Sequence, residues 1–376
     1  MNALGIIFAN IHDNHLPEMT RKRTIGSIPF GCRYRLIDFT LSNMVNSNIN
    51  KIGVITHYNY QSLMDHIGSG KDWDLARRSG GIKLLPPYIT AYDNTSDSIA
   101  DSRLHSLKGI LNFINRSNEE YVVLSDCDAI CNIDLNEVFK YHVEKGAEIT
   151  IVTKKMELRH EDAGKQSIIE FDDNNTIVDI LDHTTNITGE RFVSTNIIIF
   201  KREFLKAVIL EAISHNQRHI YKDVIKNLLH TRSVFMYEHK GYYATISSIQ
   251  DYFRCNMELL DPQIRENLFN RDNHAIYTKV RNSTPSKYDD NANVVNSLIA
   301  DGCIIEGTVK NSILFRGVKV GKGTVIENSI LLQDTYTGEN VTLNCVVSDK
   351  NVVIRDGRRL SGHETMPFYI EKGVMI

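Results

Sequence analysis

The sequence has few cysteines, no excess of either charge and no long apolar run. A net formal charge of −3 over 376 residues gives no electrostatic reason to expect nucleic acid or an anionic membrane as a partner. No run of about 18 apolar residues is present, so no membrane-spanning helix is predicted. The opening MNALGIIFAN lacks the charged region and cleavage site of a signal peptide. We therefore expect a soluble, cytoplasmic protein.

The cysteines support the same expectation. None of them forms a C-x-x-C pair, and no histidine pair accompanies them, so reduced thiols are favoured over a structural zinc site. The six are Cys32, Cys127, Cys131, Cys255, Cys303 and Cys345.

Apolar runs alternate with helical patterns through the first two-thirds of the chain. Runs rich in Ile and Val at 4–8, 51–56, 120–125 and 147–153 are typical of buried strands, and segments with helical spacing separate them. This alternation predicts an α/β domain with a mostly parallel sheet and helices on both faces. A hairpin is predicted around 173–175, and a strand at 192–200.

The last 80 or so residues repeat with a period of six. Aliphatic residues recur in three phases, and glycines punctuate them. Such a repeat is typical of a hexapeptide left-handed β-helix, with a β-sandwich as the alternative. The aliphatic positions are Ile299, Ile305, Leu314, Val320, Ile326, Leu332, Val341, Val347 and Val353, and the glycines are Gly302, Gly307, Gly317, Gly321, Gly323 and Gly338.

One stretch, FGCRYRLIDFTLSN at 30–43, places a carboxylate inside an apolar run. Ile37, Phe39 and Leu41 are predicted to face a core, so an unpaired Asp38 would be costly there. We expect Asp38 to pair with a nearby cation or with backbone N–H groups, which a purely structural ion pair would also satisfy.

The text YRLIDFTLSN, followed by INKIGVITHYNYQSLMDHI, resembles the N-terminal half of the bacterial ADP-glucose pyrophosphorylase (glucose-1-phosphate adenylyltransferase) family. The resemblance covers essentially the whole chain. It implies a Rossmann-like, GT-A-like nucleotidyltransferase domain at 1–261, a linker at 262–292 and a left-handed parallel β-helix at 293–376.

The resemblance fails at the family's catalytic positions. The phosphate-binding loop A-G-G-x-G-T-R-L aligns with 9–16, where all three glycines and the arginine are replaced, and the lysine expected to meet the transferred phosphate aligns with Ile25. Asp128 takes the position of the metal-binding aspartate, although a lone aspartate at a strand end is also typical of a turn or cap. The degenerate nucleotide and sugar-phosphate positions are Asn10, Ile11, Asp13, His15, Ile25, His183 and His219.

A basic cluster matches the positions where the family binds anionic sugar-phosphate effectors. Lys22, Arg23 and Arg35 are therefore predicted to form an anion clamp, with Arg33 and His363 as weaker candidates. An ordinary solvated basic face is the alternative. A sugar phosphate, phosphate or sulfate is the expected ligand.

Together these features resemble the non-catalytic, regulatory subunit of the family, of the GlgD type. The resemblance implies a hetero-oligomer with a catalytic subunit, expected to be a tetramer. It implies no catalytic residue beyond the remnant Asp128, no cofactor for this chain, and Mg²⁺ for the catalytic partner. Two alternatives remain: an active sugar-phosphate nucleotidyltransferase that uses divergent residues, and a stand-alone sugar-phosphate sensor.

Overall fold

A computed structural model of the chain describes residues 2–86, 102–158, 164–182, 187–215 and 217–376. The first domain is built on a mixed sheet in which nine of the described strands take part. Numbered along the chain, the strands of this domain are β1 (Ala3–Phe8), β2 (Pro29–Phe30), β3 (Tyr34–Arg35), β4 (Lys51–Ile55), β5 (Gly81–Leu85), β6 (Tyr121–Asp126), β7 (Ala129–Cys131), β8 (Ile149–Leu158), β9 (Ile168–Phe171), β10 (Ile177–Leu181), β11 (Gly189–Lys201), β12 (Val234–Glu238) and β13 (Tyr243–Thr245). Strands β2 with β3, and β7 with β13, form two separate small sheets.

Strand β1 lies at the centre of the sheet because both of its faces are apolar. It pairs in parallel with β4 on one side and β6 on the other, with Phe8 opposite Asp126. All six of its residues are buried. Ala3 and Ile7 pack into one core cluster, and Leu4 and Ile6 into the other. The parallel strands therefore end together at one edge of the sheet, where α/β proteins bind their ligands.

The long strand β11 turns the sheet from parallel to antiparallel pairing. It runs antiparallel to β6, β8 and β9. Strands β9 and β10 form the hairpin that the sequence predicted around residues 173–175. Asn175 sits in its turn with φ of 65°, a conformation that asparagine tolerates better than most residues.

Helices cover both faces of this sheet. They are α1 (Pro17–Thr20), α2 (Leu36–Asn46), α3 (Gln61–Ile67), α4 (Arg103–Gly109), α5 (Leu111–Asn115), α6 (Leu135–Glu144), α7 (Arg202–Ser214), α8 (Lys226–Leu228), α9 (Ile249–Glu258) and α10 (Pro262–Phe269). A π-helical segment, Ile220–Ile225, precedes α8. Helix α10 lies within the segment predicted to be a linker.

The predicted pairing of Asp38 is confirmed. Asp38 is the third residue of α2, and its Oδ2 accepts the Arg35 backbone N–H at 2.9 Å. Its Oδ1 lies 2.6 Å from Nε2 of His66, and the residue is fully buried. The same carboxylate thus caps the helix and holds an imidazole, which removes the cost of its burial.

The second domain is a left-handed parallel β-helix, as predicted. Its strands are β14 (Lys287–Tyr288), β15 (Asn293–Val295), β16 (Leu298–Ile299), β17 (Ile304–Ile305), β18 (Thr308–Lys310), β19 (Ile313–Leu314), β20 (Lys319–Val320), β21 (Val325–Glu327), β22 (Ile330–Leu331), β23 (Tyr336–Thr337), β24 (Thr342–Asn344), β25 (Val346–Ser348), β26 (Val353–Ile354), β27 (Arg359–Ser361) and β28 (Phe368–Ile370). Every third strand belongs to the same sheet, which gives three five-stranded parallel sheets. The first strand, β14, begins before residue 293, where the sequence placed the domain boundary.

Most of the predicted aliphatic positions line the interior of the β-helix, whereas Leu332 and Val347 are buried in the core cluster that includes residues of the first domain. A third departure lies near the end of the domain. Val353 is partly exposed, whereas its neighbours Val352 and Ile354 are fully buried, so the inward phase shifts by one residue in the last coil. Asparagines rather than glycines mark several of the turns. Asn311 and Asn328, for example, have φ of 44° and 47°.

The two domains are joined by a buried ion pair. Nη2 of Arg23 lies 2.5 Å from Oδ2 of Asp349, with side chains 5% and 3% exposed. The Tyr369 hydroxyl donates to the same Asp349 oxygen at 2.9 Å. An exposed pair, Arg21 with Glu371 at 2.9 Å, lies nearby. Among the helices that the structure describes, none has both the length and the apolar composition needed to cross a bilayer.

Candidate functional site

The edge where β1 and β6 end carries a compact cluster of charged side chains. His12 lies in the turn that follows β1, Asp126 is the last residue of β6, and Asp128 lies in the turn between β6 and β7. Because β1 and β6 are parallel and in register, the turns that follow them meet. This crevice is where a protein of this topology would hold a ligand.

Each carboxylate of the cluster is bound by a side chain of the chain itself. Nδ1 of His12 lies 2.5 Å from Oδ2 of Asp128. Arg103, from the first turn of α4, donates its Nε to Oδ1 of Asp126 at 3.0 Å and its Nη2 to Oδ2. The Asp126 and Asp128 side chains are only 2% and 6% exposed. Two anions and two potential cations therefore share one buried crevice.

The electrostatics of the crevice reinforce this pairing. Burial alone would lower the pKa of His12, but the neighbouring Asp128 and Asp126 carboxylates raise it above its usual value. Burial would likewise raise the pKa of Asp128, yet His12 and Arg103 hold it below its usual range. With His12 protonated, the four groups sum to zero charge. The crevice is thus neutralised without any ligand.

The loop that aligns with the family's phosphate-binding loop is packed against the protein. Oδ1 of Asp13 accepts the backbone N–H of Ile25 at 2.7 Å. Ile25 is buried, and Ile11 packs on the core cluster that includes Phe8. His15 stacks on His12 with ring centroids 5.1 Å apart. Burial raises the pKa of the Asp13 carboxyl to about 7.

The remaining predicted positions lie apart or outside the description. Asn10 is buried, and its Oδ1 has no hydrogen-bond partner among the described residues. His219 is exposed, and its backbone N–H donates to Asp223 at 2.9 Å. His183 lies outside the residues that the structure describes.

The crevice does not suit Mg²⁺, the ion that the family uses between nucleotide phosphates. Mg²⁺ takes oxygen ligands in near-octahedral geometry and keeps several waters. Here Asp128 contacts an imidazole, Asp126 is held by a guanidinium, and the next side chain beside Asp128 is that of Thr245. Its Oγ1 lies 3.5 Å from Oδ2 of Asp128. No step that requires Mg²⁺ can therefore be built on these side chains as they are arranged.

A second charged region lies between the two domains. A cavity of about 30 Å³ lies there, and six of its lining residues are basic. Arg33 and Arg35 belong to the first domain, Lys279 and Arg281 to the segment that connects the domains, and Arg316 and Lys350 to the β-helix. None of its described lining residues is acidic. Burial, followed by the charges of Arg35 and Arg23, lowers the pKa of Lys350 to about 7. The lining therefore carries an excess of positive charge, although Arg316 is paired with Asp301 at 3.2 Å.

The three residues of the predicted anion clamp do not lie together in the structure. Arg35 lines the cavity, and its Nη1 donates to the Ser62 carbonyl at 2.6 Å. Arg23 is engaged by Asp349 instead, although its Nη1 is buried without a partner among the described residues. Lys22 is exposed and does not line the cavity, and His363 is exposed on the β-helix.

Arg103 and Lys350 are residues that the sequence analysis missed. Arg103 lies 23 residues before Asp126, and His12 lies 116 residues before Asp128. No local sequence pattern therefore indicated either pairing. Lys350 follows Asp349 directly, and nothing in its local sequence predicts that it faces Arg35.

The fold and the crevice define the chain as a member of the nucleotidyltransferase class with a hexapeptide-repeat domain. The nucleotidyl transferase family matches residues 5–262, and the GlmU-like, C-terminal hexapeptide family matches residues 282–365, so the chain belongs to the nucleotidyl transferase family.

Curated relatives agree with this assignment over nearly the full length. The chain is 34% identical to a glucose-1-phosphate adenylyltransferase of Fervidobacterium nodosum, covering 99% of this chain and 88% of that protein. It is also 34% identical to the glycogen biosynthesis protein GlgD of Bacillus subtilis, covering 99% and 96%. A glucose-1-phosphate adenylyltransferase of Bacillus cereus is 31% identical, covering 94% and 93%.

Proposed function

We propose that this chain is a regulatory, catalytically degenerate subunit of glucose-1-phosphate adenylyltransferase, which modulates ADP-glucose formation for glycogen biosynthesis in the cytoplasm. The observation that carries the proposal is the self-neutralised crevice. Arg103 holds Asp126 and His12 holds Asp128, in the place where the family needs free carboxylates for Mg²⁺. Phosphoryl transfer depends on positioning and charge stabilisation, and removing one such group costs on the order of 10²- to 10³-fold.

The partner is a catalytic subunit of the same family, in a hetero-oligomer that we expect to be a tetramer. A subunit without its own chemistry changes a partner's activity by binding the partner's active and inactive states with different affinity. A coupling of about 1–3 kcal/mol would change substrate or effector affinity by about 5- to 150-fold. Mg²⁺ is required by the catalytic partner and not by this chain.

The effector site of this subunit is the positively charged cavity between the domains. A sugar phosphate, phosphate or sulfate would offset the mutual repulsion of Arg35, Arg281 and Lys350. Because these residues come from both domains, an anion bound there would tighten the contact between the domains. That contact is a physical route from effector binding to the surface that meets the partner.

The test is kinetic and uses both subunits. The catalytic subunit is titrated with this chain while half-saturation by glucose 1-phosphate is measured and assembly is followed by light scattering. We expect half-saturation to shift at least severalfold and the particle mass to rise. No change in either at micromolar concentration would refute the regulatory role and favour a stand-alone sensor.

A second candidate function is an active nucleotidyltransferase with divergent residues. One observation favours it: the chain is as similar to an adenylyltransferase as to GlgD, at 34% identity in both comparisons. The two functions separate in an assay of the chain alone with ATP, glucose 1-phosphate and Mg²⁺. Turnover within tenfold of an ordinary enzyme, abolished by Asp128→Asn, would establish the second function and overturn the first.

A further inference from the structure

The crevice contains a set of donor atoms unlike the oxygen donors that Mg²⁺ prefers. One ligand atom each from His12, Asp126 and Asp128 lies within 4.8 Å of the others. A metal bound tetrahedrally at 2.0–2.2 Å separates its ligand atoms by roughly 3.3–3.6 Å. The three donors are therefore near the spacing that one ion requires, and an ion would replace the contact of 2.5 Å between His12 and Asp128.

Two of the three donors lie at the end of the central sheet. Asp126 ends the central strand β6, and its backbone carbonyl accepts the Thr40 hydroxyl at 3.0 Å. Asp128 follows two residues later and is buried. His12 is stacked on His15 in the turn after β1. The backbones that carry the two aspartates are therefore fixed by the sheet, while the side chains would have to adjust to an ion.

Arg103 blocks the three donors from binding an ion. Its guanidinium donates to both oxygens of Asp126, and its Nη2 lies 3.4 Å from Nε2 of His12. Its positive charge occupies the side of the crevice that a cation would need. A metal would therefore have to compete with a guanidinium already bound through two hydrogen bonds.

We propose that His12, Asp126 and Asp128 form a site for a divalent transition metal such as Zn²⁺ or Co²⁺, which Arg103 keeps closed by holding Asp126. Imidazole with carboxylates suits Zn²⁺, Co²⁺ and Ni²⁺, whereas Mg²⁺ prefers oxygen ligands alone. The site thus differs from a Mg²⁺ site in the metal it would prefer, and the guanidinium of Arg103 blocks it. It concerns this chain by itself, so it would stand even if the regulatory role failed.

The experiment measures Co²⁺ binding to the full-length chain, without substrate or partner, by calorimetry and by the visible absorption of the bound ion. Arg103→Met should bind one Co²⁺ at least tenfold more tightly than the wild type, because the competing cation is gone. Adding His12→Ala to that variant should lower the affinity again by tenfold or more. Mg²⁺ should compete poorly with Co²⁺. Arg21→Met, at an exposed arginine, is the matched control and should bind as the wild type does.

Removing Arg103 leaves Asp126 buried without its partner, which threatens folding. Circular dichroism checks this, and Arg103→Gln, whose amide can still donate to Asp126, carries the same comparison if Arg103→Met does not fold. The proposal is overturned if a folded Arg103 variant binds Co²⁺ no better than the wild type. It is equally overturned if loss of His12 leaves the affinity of that variant unchanged.

Discussion

Asp349→Ala removes the carboxylate that neutralises Arg23 in the contact between the two domains. Both side chains of this pair are about 95% buried, and the atoms are 2.5 Å apart. Breaking a buried pair by deleting one partner costs about 3–5 kcal/mol, because the remaining charge stays desolvated. The Tyr369 hydroxyl also loses its acceptor, which adds about 1 kcal/mol. We therefore expect the free energy of unfolding to fall by about 4–6 kcal/mol.

A neighbouring pair supplies the control. Arg21 and Glu371 also join the two domains, at 2.9 Å, but their side chains are 68% and 54% exposed. Solvent screens such pairs, so Glu371→Ala should cost about 0–1 kcal/mol. The double variant Arg23→Met with Asp349→Leu should recover most of the loss, since an apolar pair of similar size replaces a buried ion pair at little cost.

The assay is urea unfolding followed by two signals. Fluorescence of Trp73, the single tryptophan, reports the first domain, in which it is buried, and far-ultraviolet circular dichroism reports both domains. We expect the two signals to coincide in the wild type and to separate in Asp349→Ala, because the contact between the domains is weakened. A loss below 1 kcal/mol, or a loss equal to that of Glu371→Ala, would refute the reasoning.

Three further predictions test other parts of the structure. Burial raises the pKa of Asp13 to about 7, so between pH 4 and 7 the native state binds more protons than the unfolded state, and stability falls as the pH rises through that window. Asp13→Asn should remove this pH dependence and raise the free energy of unfolding by up to about 4 kcal/mol at pH 8. Urea unfolding at several pH values measures both effects. In the β-helix, a Cβ at Gly321 would overlap a backbone carbonyl of the next coil, so Gly321→Ala should lower the free energy of unfolding by about 1–3 kcal/mol in urea. Gly109→Ala, in open space on α4, should be neutral or stabilising in the same measurement. Arg35→Gln should weaken sulfate binding by tenfold or more in calorimetry because Arg35 lines the cationic cavity, and an equal loss in the exposed Lys22→Gln would contradict this placement.

Local sequence patterns made most of the fold predictable. Strand β1 is a continuous apolar run, the β9–β10 hairpin was predicted around its turn at 173–175, and the β-helix shows a six-residue repeat. The phase of the last coil was predicted incorrectly at Val353, because Val352, Val353 and Ile354 are all apolar and their order does not say which face inward. Helix α10 was missed because its pattern is weak, with Leu268 as its one fully buried residue.

The candidate sites were less predictable, because their contacts join distant parts of the chain. Asp38 was predicted to be paired because burying an unpaired carboxylate within an apolar run would cost free energy. Arg103 and Asp126 are 23 residues apart and His12 and Asp128 are 116 apart, and no periodic pattern encodes such pairs. The sequence predicted that catalytic residues of the family are replaced, but it contained no pattern from which contacts among the replacements could be inferred.

The ion pair that joins the domains also sets an order of events during synthesis. Arg23 leaves the ribosome early, and its partner Asp349 follows 326 residues later. At 5–20 residues per second the delay is roughly 15–65 s, which is long compared with the folding of one domain. We expect the newly made first domain to hold Arg23 in water until the last coils of the β-helix arrive. A nascent chain stalled before Asp349 would therefore expose, on one surface, the basic face that the finished protein encloses.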